Sequence, residues 1–120
     1  MVEPRRILLV EDHADSRELL RELCEHLGHR VAEASDGHGA IEEAIAFRPD
    51  IAFIDIGLPH ADGYHVAREL RRQMETGCPR LVALSGYGTS EARDRAIHAG
   101  FDEYVVKPID VKRLEHLING

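Results

Sequence analysis

The chain has 120 residues, of which 43% are hydrophobic and 31% are charged, and this balance is typical of one compact domain with a single core. Its formal net charge of -7 at pH 7 disfavours direct binding to nucleic acid, which normally requires a basic surface. No apolar run approaches the roughly 18 to 20 residues that span a bilayer, and the N-terminal residues lack the apolar segment of a secretory signal. We therefore expect a cytoplasmic chain that has no membrane partner.

Five strand-like runs alternate with five segments of helical periodicity. The predicted strands cover residues 5–10, 30–34, 51–54, 79–85 and 102–107, and the predicted helices cover residues 15–27, 36–48, 64–73, 89–99 and 111–118. The third strand should be the most buried, whereas the second is more polar and fits the edge of a sheet. Strict alternation with short connections predicts a parallel sheet with helices on both faces.

The predicted helices differ in how firmly their apolar residues should hold them. The first helix should begin at Asp15, with Glu18 as the partner in a capping box. Its apolar stripe consists of Leu19, Leu20, Leu23 and Leu27. The fourth helix contains few large apolar residues, and we expect it to be loosely held and mobile.

Reactive side chains lie at the ends of four of the five predicted strands. The first strand is followed by Glu11 and Asp12, the third ends at Asp55, the fourth at Ser85 and the fifth at Lys107. Because ligands bind beyond the carboxyl ends of parallel strands, these groups should form one site. Three crowded carboxylates repel one another and call for a hard divalent cation such as Mg²⁺. With that ion bound, Asp55 could attack phosphorus, and the product would be an aspartyl phosphate.

Each of these residues also has an ordinary structural interpretation when it is taken alone. Glu11 and Asp12 fit a solvated turn, Ser85 fits the turn that its following glycine suggests, and Lys107 fits an exposed surface. The combination favours a site, because suitable residues at the ends of four strands, with no such set at their starts, rarely arise by chance.

The histidines and cysteines give no sign of a second metal or redox site. His13 lies beside the acidic pair and His60 lies in a loop, but neither belongs to a His-x3-His pair, so we expect both at the surface or at the rim of the pocket. Cys24 and Cys78 lack metal or redox spacing, and we expect two reduced thiols with packing roles.

Five short motifs carry a family resemblance. They are Val10-Glu11-Asp12, Asp55-Ile56-Gly57-Leu58-Pro59, Asp62-Gly63, Ala83-Leu84-Ser85-Gly86 and Tyr104-Val105-Val106-Lys107-Pro108. Together they resemble the receiver domain of two-component response regulators, and in particular the receivers of hybrid sensor histidine kinases. The resemblance implies one receiver domain over residues 1–120, with no output domain in this chain. It also implies a flavodoxin-like doubly wound α/β fold, (βα)5, whose parallel five-stranded sheet has the order 2-1-3-4-5.

The resemblance implies a phosphoacceptor and a metal site. Asp55 would accept a phosphoryl group from a histidine kinase or a histidine phosphotransfer protein. Glu11, Asp12, Asp55 and the backbone carbonyl of Gly57 would hold Mg²⁺ or Mn²⁺.

The resemblance further implies a switch around the phosphoryl group. Ser85 and Lys107 would bind the phosphoryl oxygens, and a cis peptide bond before Pro108 would aim the lysine at the site. Tyr104 would be the switch aromatic and would turn inward as Ser85 moves to the phosphate. Phosphorylation would thereby change which downstream protein binds the face formed by helix 4, strand 5 and helix 5.

Three positions bear on how long the phosphate survives or depart from the family pattern. Gly57 and Tyr87 occupy positions that tune the phosphate lifetime in the family. Ala61 stands where the family often has methionine. The lifetime itself does not follow from the sequence.

Other functions can be weighed against the same residues. A phosphatase or phosphomutase would resemble an Asp-x-Asp arrangement, but the second position here is Gly57, so we expect a switch that promotes its own phosphorylation and slow dephosphorylation rather than a turnover enzyme. A nucleotide or flavin carrier would need a glycine-rich first turn, where this chain is acidic. A phosphorylation-independent interaction module on the same fold stays open, as does the choice between a free-standing receiver and a piece of a hybrid kinase or larger regulator.

Overall fold

Ten elements alternate along the chain in the computed structural model, which describes residues 3–58 and 62–120. They are β1 (Arg6–Val10), α1 (Ala14–His26), β2 (Arg30–Ala34), α2 (Gly37–Phe47), β3 (Ile51–Asp55), α3 (Gly63–Gln73), β4 (Arg80–Ser85), α4 (Ser90–Ala99), β5 (Glu103–Val106) and α5 (Val111–Asn119). The five predicted strands and five predicted helices are all present. Among the described residues, no helix combines the length and apolarity that crossing a membrane requires.

The five strands form one parallel sheet in the order β2-β1-β3-β4-β5, which confirms the predicted α/β fold and strand order. β3 lies at the centre, where Phe53 is opposite Leu9 of β1 and Val82 of β4. All five residues of β3 are buried, as its apolar sequence predicts, and β2 lies at an edge. Since the strands are parallel, their carboxyl ends all meet at one edge of the sheet.

The core has two halves, one on each face of the sheet. One half joins alternate strand residues such as Leu8 and Ile54 to α2, α3 and α4. The other half joins the intervening residues, such as Leu9 and Phe53, to α1 and α5. Successive strand side chains point to opposite faces, so continuous apolar strands supply both halves at once.

The prediction for α1 was wrong in two details. The helix begins at Ala14 rather than Asp15, because the ring of His13 caps it and Nδ1 accepts a hydrogen bond from the Ser16 N–H at 3.3 Å. Leu19 is 59% exposed rather than part of the buried stripe, and Cys24 is fully buried in its place. Both cysteines are free thiols.

Gly63 fixes α3 against the end of β3. A Cβ atom on this glycine would lie 2.6 Å from Ile56 Cα and 2.8 Å from the Asp55 carbonyl oxygen, which is closer than Cβ atoms approach other atoms in proteins. The Gly63 N–H donates to the Ile56 carbonyl at 3.3 Å. The helix can therefore start directly beside Asp55 only with glycine at this position.

Candidate functional site

The carboxyl ends of β1, β3, β4 and β5 bring the predicted site residues together at one edge of the sheet. Asp55 and Ser85 are the last residues of β3 and β4, and Glu11 directly follows β1. Glu11 is 2% exposed and Asp55 is 9% exposed, whereas Asp12 is exposed to solvent. A buried carboxylate is costly unless it is paired, so the partners of Glu11 and Asp55 determine what this edge can do.

Lys107 is the partner that Glu11 and Asp55 share. Its Nζ lies 2.7 Å from Glu11 Oε1 and 3.2 Å from Asp55 Oδ2. The Lys107 N–H also donates to the Ser85 carbonyl at 2.7 Å, and the Lys107–Pro108 peptide bond is cis. The ammonium group therefore lies between the two buried carboxylates.

Glu11, Asp12 and Asp55 form a candidate cation site. One carboxylate oxygen from each residue lies within 4.8 Å of the others. An all-oxygen set of this kind suits a hard divalent ion that keeps some of its water. The cluster could thus hold a metal ion, with the exposed Asp12 at the side that solvent reaches.

The charges in this cluster shift one another's pKa values. Burial raises the pKa of Glu11, and the neighbouring Asp55 raises it further against the opposing effect of Lys107. Burial also acts to raise the pKa of Asp55, but the neighbouring Glu11 side chain, the Gly57 N–H and Lys107 together hold it below its usual range. Burial acts to lower the pKa of Lys107, but the two carboxylates raise it above its usual value. Asp55 is therefore ionised at neutral pH.

Gly57 holds one oxygen of the Asp55 side chain. Its backbone N–H donates to Asp55 Oδ1 at 3.0 Å, while Oδ2 faces Lys107. The carboxylate is thus oriented from both sides. The sequence predictions also include Pro59, His60 and Ala61 in the neighbouring loop. These three residues lie outside the described residues.

Ser85 and Tyr104 both bond to the backbone of Tyr87. Ser85 Oγ accepts from the Tyr87 N–H at 3.0 Å and lies 3.2 Å from the Tyr87 carbonyl, to which it donates. The Tyr104 hydroxyl donates to the same carbonyl. The predicted switch residues therefore meet at one loop carbonyl, and the Tyr87 side chain is exposed.

Sequence reasoning missed a group of α3 and α4 residues that shares the cavity of Asp55. The cavity has a volume of about 340 Å³ and is lined by Asp55, Ile56, Gly57, Tyr64, Ser85, Gly86, Tyr87 and Arg95. The Arg95 guanidinium lies 4.2 Å from the centroid of the Tyr64 ring, and its Nη2 lies 3.7 Å from Asp62 Oδ2. No spacing rule links Arg95 to residues more than thirty positions earlier, so the sequence carries no signal for this contact.

Comparison with known proteins decides the family. The family model described as the response regulator receiver domain matches residues 7–119. The chain belongs to this family. Among solved structures, this receiver domain is similar to that of sensor histidine kinase PA1611 from Pseudomonas aeruginosa PAO1, which contains a magnesium ion coordinated in the active site cleft. That similarity has a TM-score of 0.86 and 32% identity, and covers 97% of this chain and 95% of the other.

Two curated relatives are longer proteins. The receiver domain is 34% identical to the phosphate regulon transcriptional regulatory protein PhoB of Escherichia coli K12, with 92% of this chain and 48% of PhoB covered. It is 34% identical to the probable transcriptional regulator ycf27 of Guillardia theta, with 96% and 44% covered. The chain thus spans about half the length of the curated relatives it matches.

Proposed function

We propose that Asp55 accepts a phosphoryl group from a histidine kinase or a histidine phosphotransfer protein, and that this receiver domain is a phosphorylation-driven switch. The observation that carries the proposal is the position of Lys107 Nζ, 3.2 Å from Asp55 Oδ2, beside a cluster of three carboxylates. A phosphoryl group arriving at Asp55 would meet one fixed cation and a place for a second. Phosphoryl transfer depends mainly on such positioning and charge neutralisation.

The Asp55 carboxylate supplies the attacking electron pair. Its lowered pKa keeps it ionised, and the Gly57 N–H fixes Oδ1 while Lys107 contacts Oδ2. A new O–P bond would form as the P–N bond of the donor phosphohistidine breaks, and the donor imidazole would keep the electron pair of that bond. Lys107 and the Ser85 hydroxyl would then bind the phosphoryl oxygens.

Glu11, Asp12, Asp55 and the Gly57 carbonyl would hold the divalent ion, Mg²⁺ or Mn²⁺. The three carboxylates fit such an ion in number, spacing and chemistry. When bound, the ion supplies positive charge to the phosphoryl oxygens.

The product of this reaction stays on the chain, so the domain would not be a turnover enzyme. The position two residues after Asp55 is Gly57, which has no carboxyl group to act as general acid or base on an external substrate. Slow hydrolysis of the aspartyl phosphate would reset the switch.

Phosphorylation would change the hydrogen bonds to the backbone of Tyr87. If Ser85 Oγ turns to the phosphoryl group, the loop loses two hydrogen bonds, and Tyr104 contacts the same carbonyl. The resulting shift would alter the face formed by α4, β5 and α5, and with it the binding of a downstream protein.

Loading with a small phosphodonor tests the proposal. The protein is incubated with acetyl phosphate and Mg²⁺, and intact mass measures the phosphoryl adduct. The wild type and Asp50→Asn, which changes an exposed carboxylate just before the other end of β3, should both form the adduct. Asp55→Asn and chelation of the metal should abolish it.

The two contrary outcomes have different meanings. If no adduct forms on the wild type, the phosphoacceptor function is wrong and an interaction module on the same fold takes its place. If Asp55→Asn loads as much as the wild type, another residue accepts the phosphoryl group.

A further inference from the structure

We propose that Arg95 of α4 is a further phosphoryl-binding residue, which captures the incoming phosphoryl anion at the mouth of the Asp55 cavity by exchanging its contact with Asp62. This inference rests on the proposed phosphoacceptor function and adds a residue to it. It also gives α4 a direct contact with the phosphoryl group, in addition to the route through Ser85.

Arg95 supplies the positive charge of the cavity. Among the described residues that line the 340 Å³ space beside Asp55, it is the one with a cationic side chain. Lys107 is already engaged by two carboxylates, with Nζ 2.7 Å from Glu11 Oε1 and 3.2 Å from Asp55 Oδ2. An anion entering through this cavity therefore meets Arg95 first.

An entering phosphoryl anion needs such a charge. The chain has a formal net charge of -7, and the three clustered carboxylates add local repulsion. A guanidinium group offers several N–H donors in one plane, which match two oxygens of a phosphoryl group better than an ammonium does. Arg95 is thus suited to hold the anion while Asp55 attacks.

The present contacts of Arg95 can be exchanged at little cost. Its side chain is 63% exposed, and the contact with Asp62 Oδ2 is 3.7 Å long, so water screens this ion pair. The Tyr64 ring beneath it is buried, and its hydroxyl donates to the Ala92 carbonyl at 3.4 Å. The guanidinium can therefore move from Asp62 toward the cavity while the ring keeps its place against α4.

The exchange would couple phosphorylation of Asp55 to the contacts of α4. The buried residues of this helix are Ala96 and Ala99, which fill little volume, and the polar contacts of Tyr64 with Ala92 and Arg95 join α4 to α3 beside them. When Arg95 leaves Asp62 for a phosphoryl group, one of these contacts changes partner. Occupation of Asp55 thus reaches α4 directly.

The concentration dependence of loading tests this proposal. Initial rates of adduct formation are measured against acetyl phosphate concentration at saturating Mg²⁺, and they give a half-saturating concentration and a maximal rate. At an ionic strength held constant at about 0.1 M, Arg95→Gln should raise the half-saturating concentration roughly two- to fivefold and leave the maximal rate unchanged. Near 1 M salt the difference should vanish, because the Debye length falls to about 3 Å.

Two further arginine variants separate capture from general charge and from folding. Arg93→Gln makes the same change in net charge on the same helix, at an exposed residue that does not line the cavity, and it should load as the wild type does. Arg95→Lys should recover part of the loss. A purely structural role of Arg95 would not make the half-saturating concentration depend on salt.

Asp62→Asn tests the exchange itself. Asparagine preserves the N-cap of α3, where Asp62 Oδ1 accepts from the His65 N–H at 2.7 Å, but it removes the ion pair with Arg95. The half-saturating concentration should fall, and the fall should be larger with Arg95 present than in the Arg95→Gln background. Equal falls in both backgrounds would overturn the exchange.

The inference can fail while the proposed function stands. If the wild type loads on Asp55 but Arg95→Gln has the same half-saturating concentration at the lower ionic strength, Arg95 is not a phosphoryl-binding residue. The same conclusion follows if Arg93→Gln shifts the curve as much as Arg95→Gln. If the wild type does not load at all, the phosphoacceptor function fails first.

Discussion

β3 and α4 both reach the cavity beside Asp55, but they are held in opposite ways. Every residue of β3 is buried, and the strand is hydrogen-bonded to β1 on one side and β4 on the other. The buried residues of α4 are two alanines, while Ile97 is 48% exposed. Large apolar side chains hold β3, whereas α4 adds two small side chains to the core and makes polar contacts with Tyr64.

This difference assigns separate tasks to the two elements. Asp55 lies at the end of the most enclosed strand, so its position relative to Glu11 and Lys107 is fixed before any ligand arrives. α4 can change its contacts without disturbing the core, because little apolar area holds it. A carboxylate in a fixed position beside a helix that buries little apolar area fits the proposed switch.

Truncating one apolar side chain in each element should give the largest contrast. Phe53 is 1% exposed in the centre of β3, so Phe53→Ala should lower the free energy of unfolding by about 3 to 5 kcal/mol. Ile97→Ala in α4 should change it by no more than about 0.5 kcal/mol. Urea unfolding measures both, and similar losses would mean that α4 is packed as firmly as β3.

Adding a methyl group at the start of α3 should cost more stability than adding one in the loop before α4. Gly63→Ala places a Cβ atom 2.6 Å from Ile56 Cα and should cost about 1 to 3 kcal/mol of unfolding free energy. Gly88→Ala, in the loop before α4, places Cβ at an ordinary 3.6 Å from Val106 Cγ2 and should be close to neutral. An equal cost at both positions would contradict the view that Gly63 is tightly packed and Gly88 is not.

Metal binding beside β3 should raise the free energy of unfolding. If the carboxylate cluster holds Mg²⁺ as proposed, the ion at about ten times its dissociation constant should raise the free energy of unfolding by about 1.4 kcal/mol, because it would bind the folded chain. Asp12→Asn removes one of the three carboxylates and should lose most of this gain. A variant that kept the full gain would place the ion elsewhere.

The smallest expected effect is the contribution of His29, which lies far from Asp55, to the pH dependence of the free energy of unfolding. Burial lowers the pKa of His29, the Arg5 charge lowers it further, and its Nδ1 accepts from the Arg5 N–H at 3.0 Å. The pKa of His29 is about 6.5 in the unfolded chain and lower in the folded chain. Below about pH 6.5 the unfolded chain therefore binds a proton at His29 more readily than the folded chain does, so stability should be lost as the pH falls through that value.

The variant His29→Gln isolates this contribution. Urea unfolding at pH 7.5 and pH 5.5 should show a smaller loss of stability in the variant than in the wild type. An equal loss in both proteins would assign the pH dependence to other residues.

The sequence predicted the sheet and the clustered strand ends because both follow from local patterns. Apolar runs mark strands, alternation makes them parallel, and parallel strands bring Glu11, Asp55, Ser85 and Lys107 to one edge. The apolar sequence of β3 predicts its burial, whereas its place at the centre of the sheet is implied by the family resemblance. What each of these side chains does in phosphoryl transfer stays a prediction.

Two kinds of detail could not be predicted. The apolar positions of α1 cover an arc wider than its buried face, with Leu19 and Cys24 at opposite margins, and the helical repeat of about 100° per residue does not say which margin is buried. The contact of Arg95 with Tyr64 and Asp62 joins exposed or polar groups on separate helices, and such contacts leave no periodic trace.

The contact of Lys107 with Glu11 joins residues that are 96 positions apart, one after the first strand and one after the last. A nascent chain that ended within α4 would possess all three carboxylates but not the ammonium that lies between two of them. The site therefore forms only when β5 has joined the sheet. If phosphoryl transfer takes place as proposed, it requires a chain that extends through Lys107, and a domain that ends before this residue should not become phosphorylated.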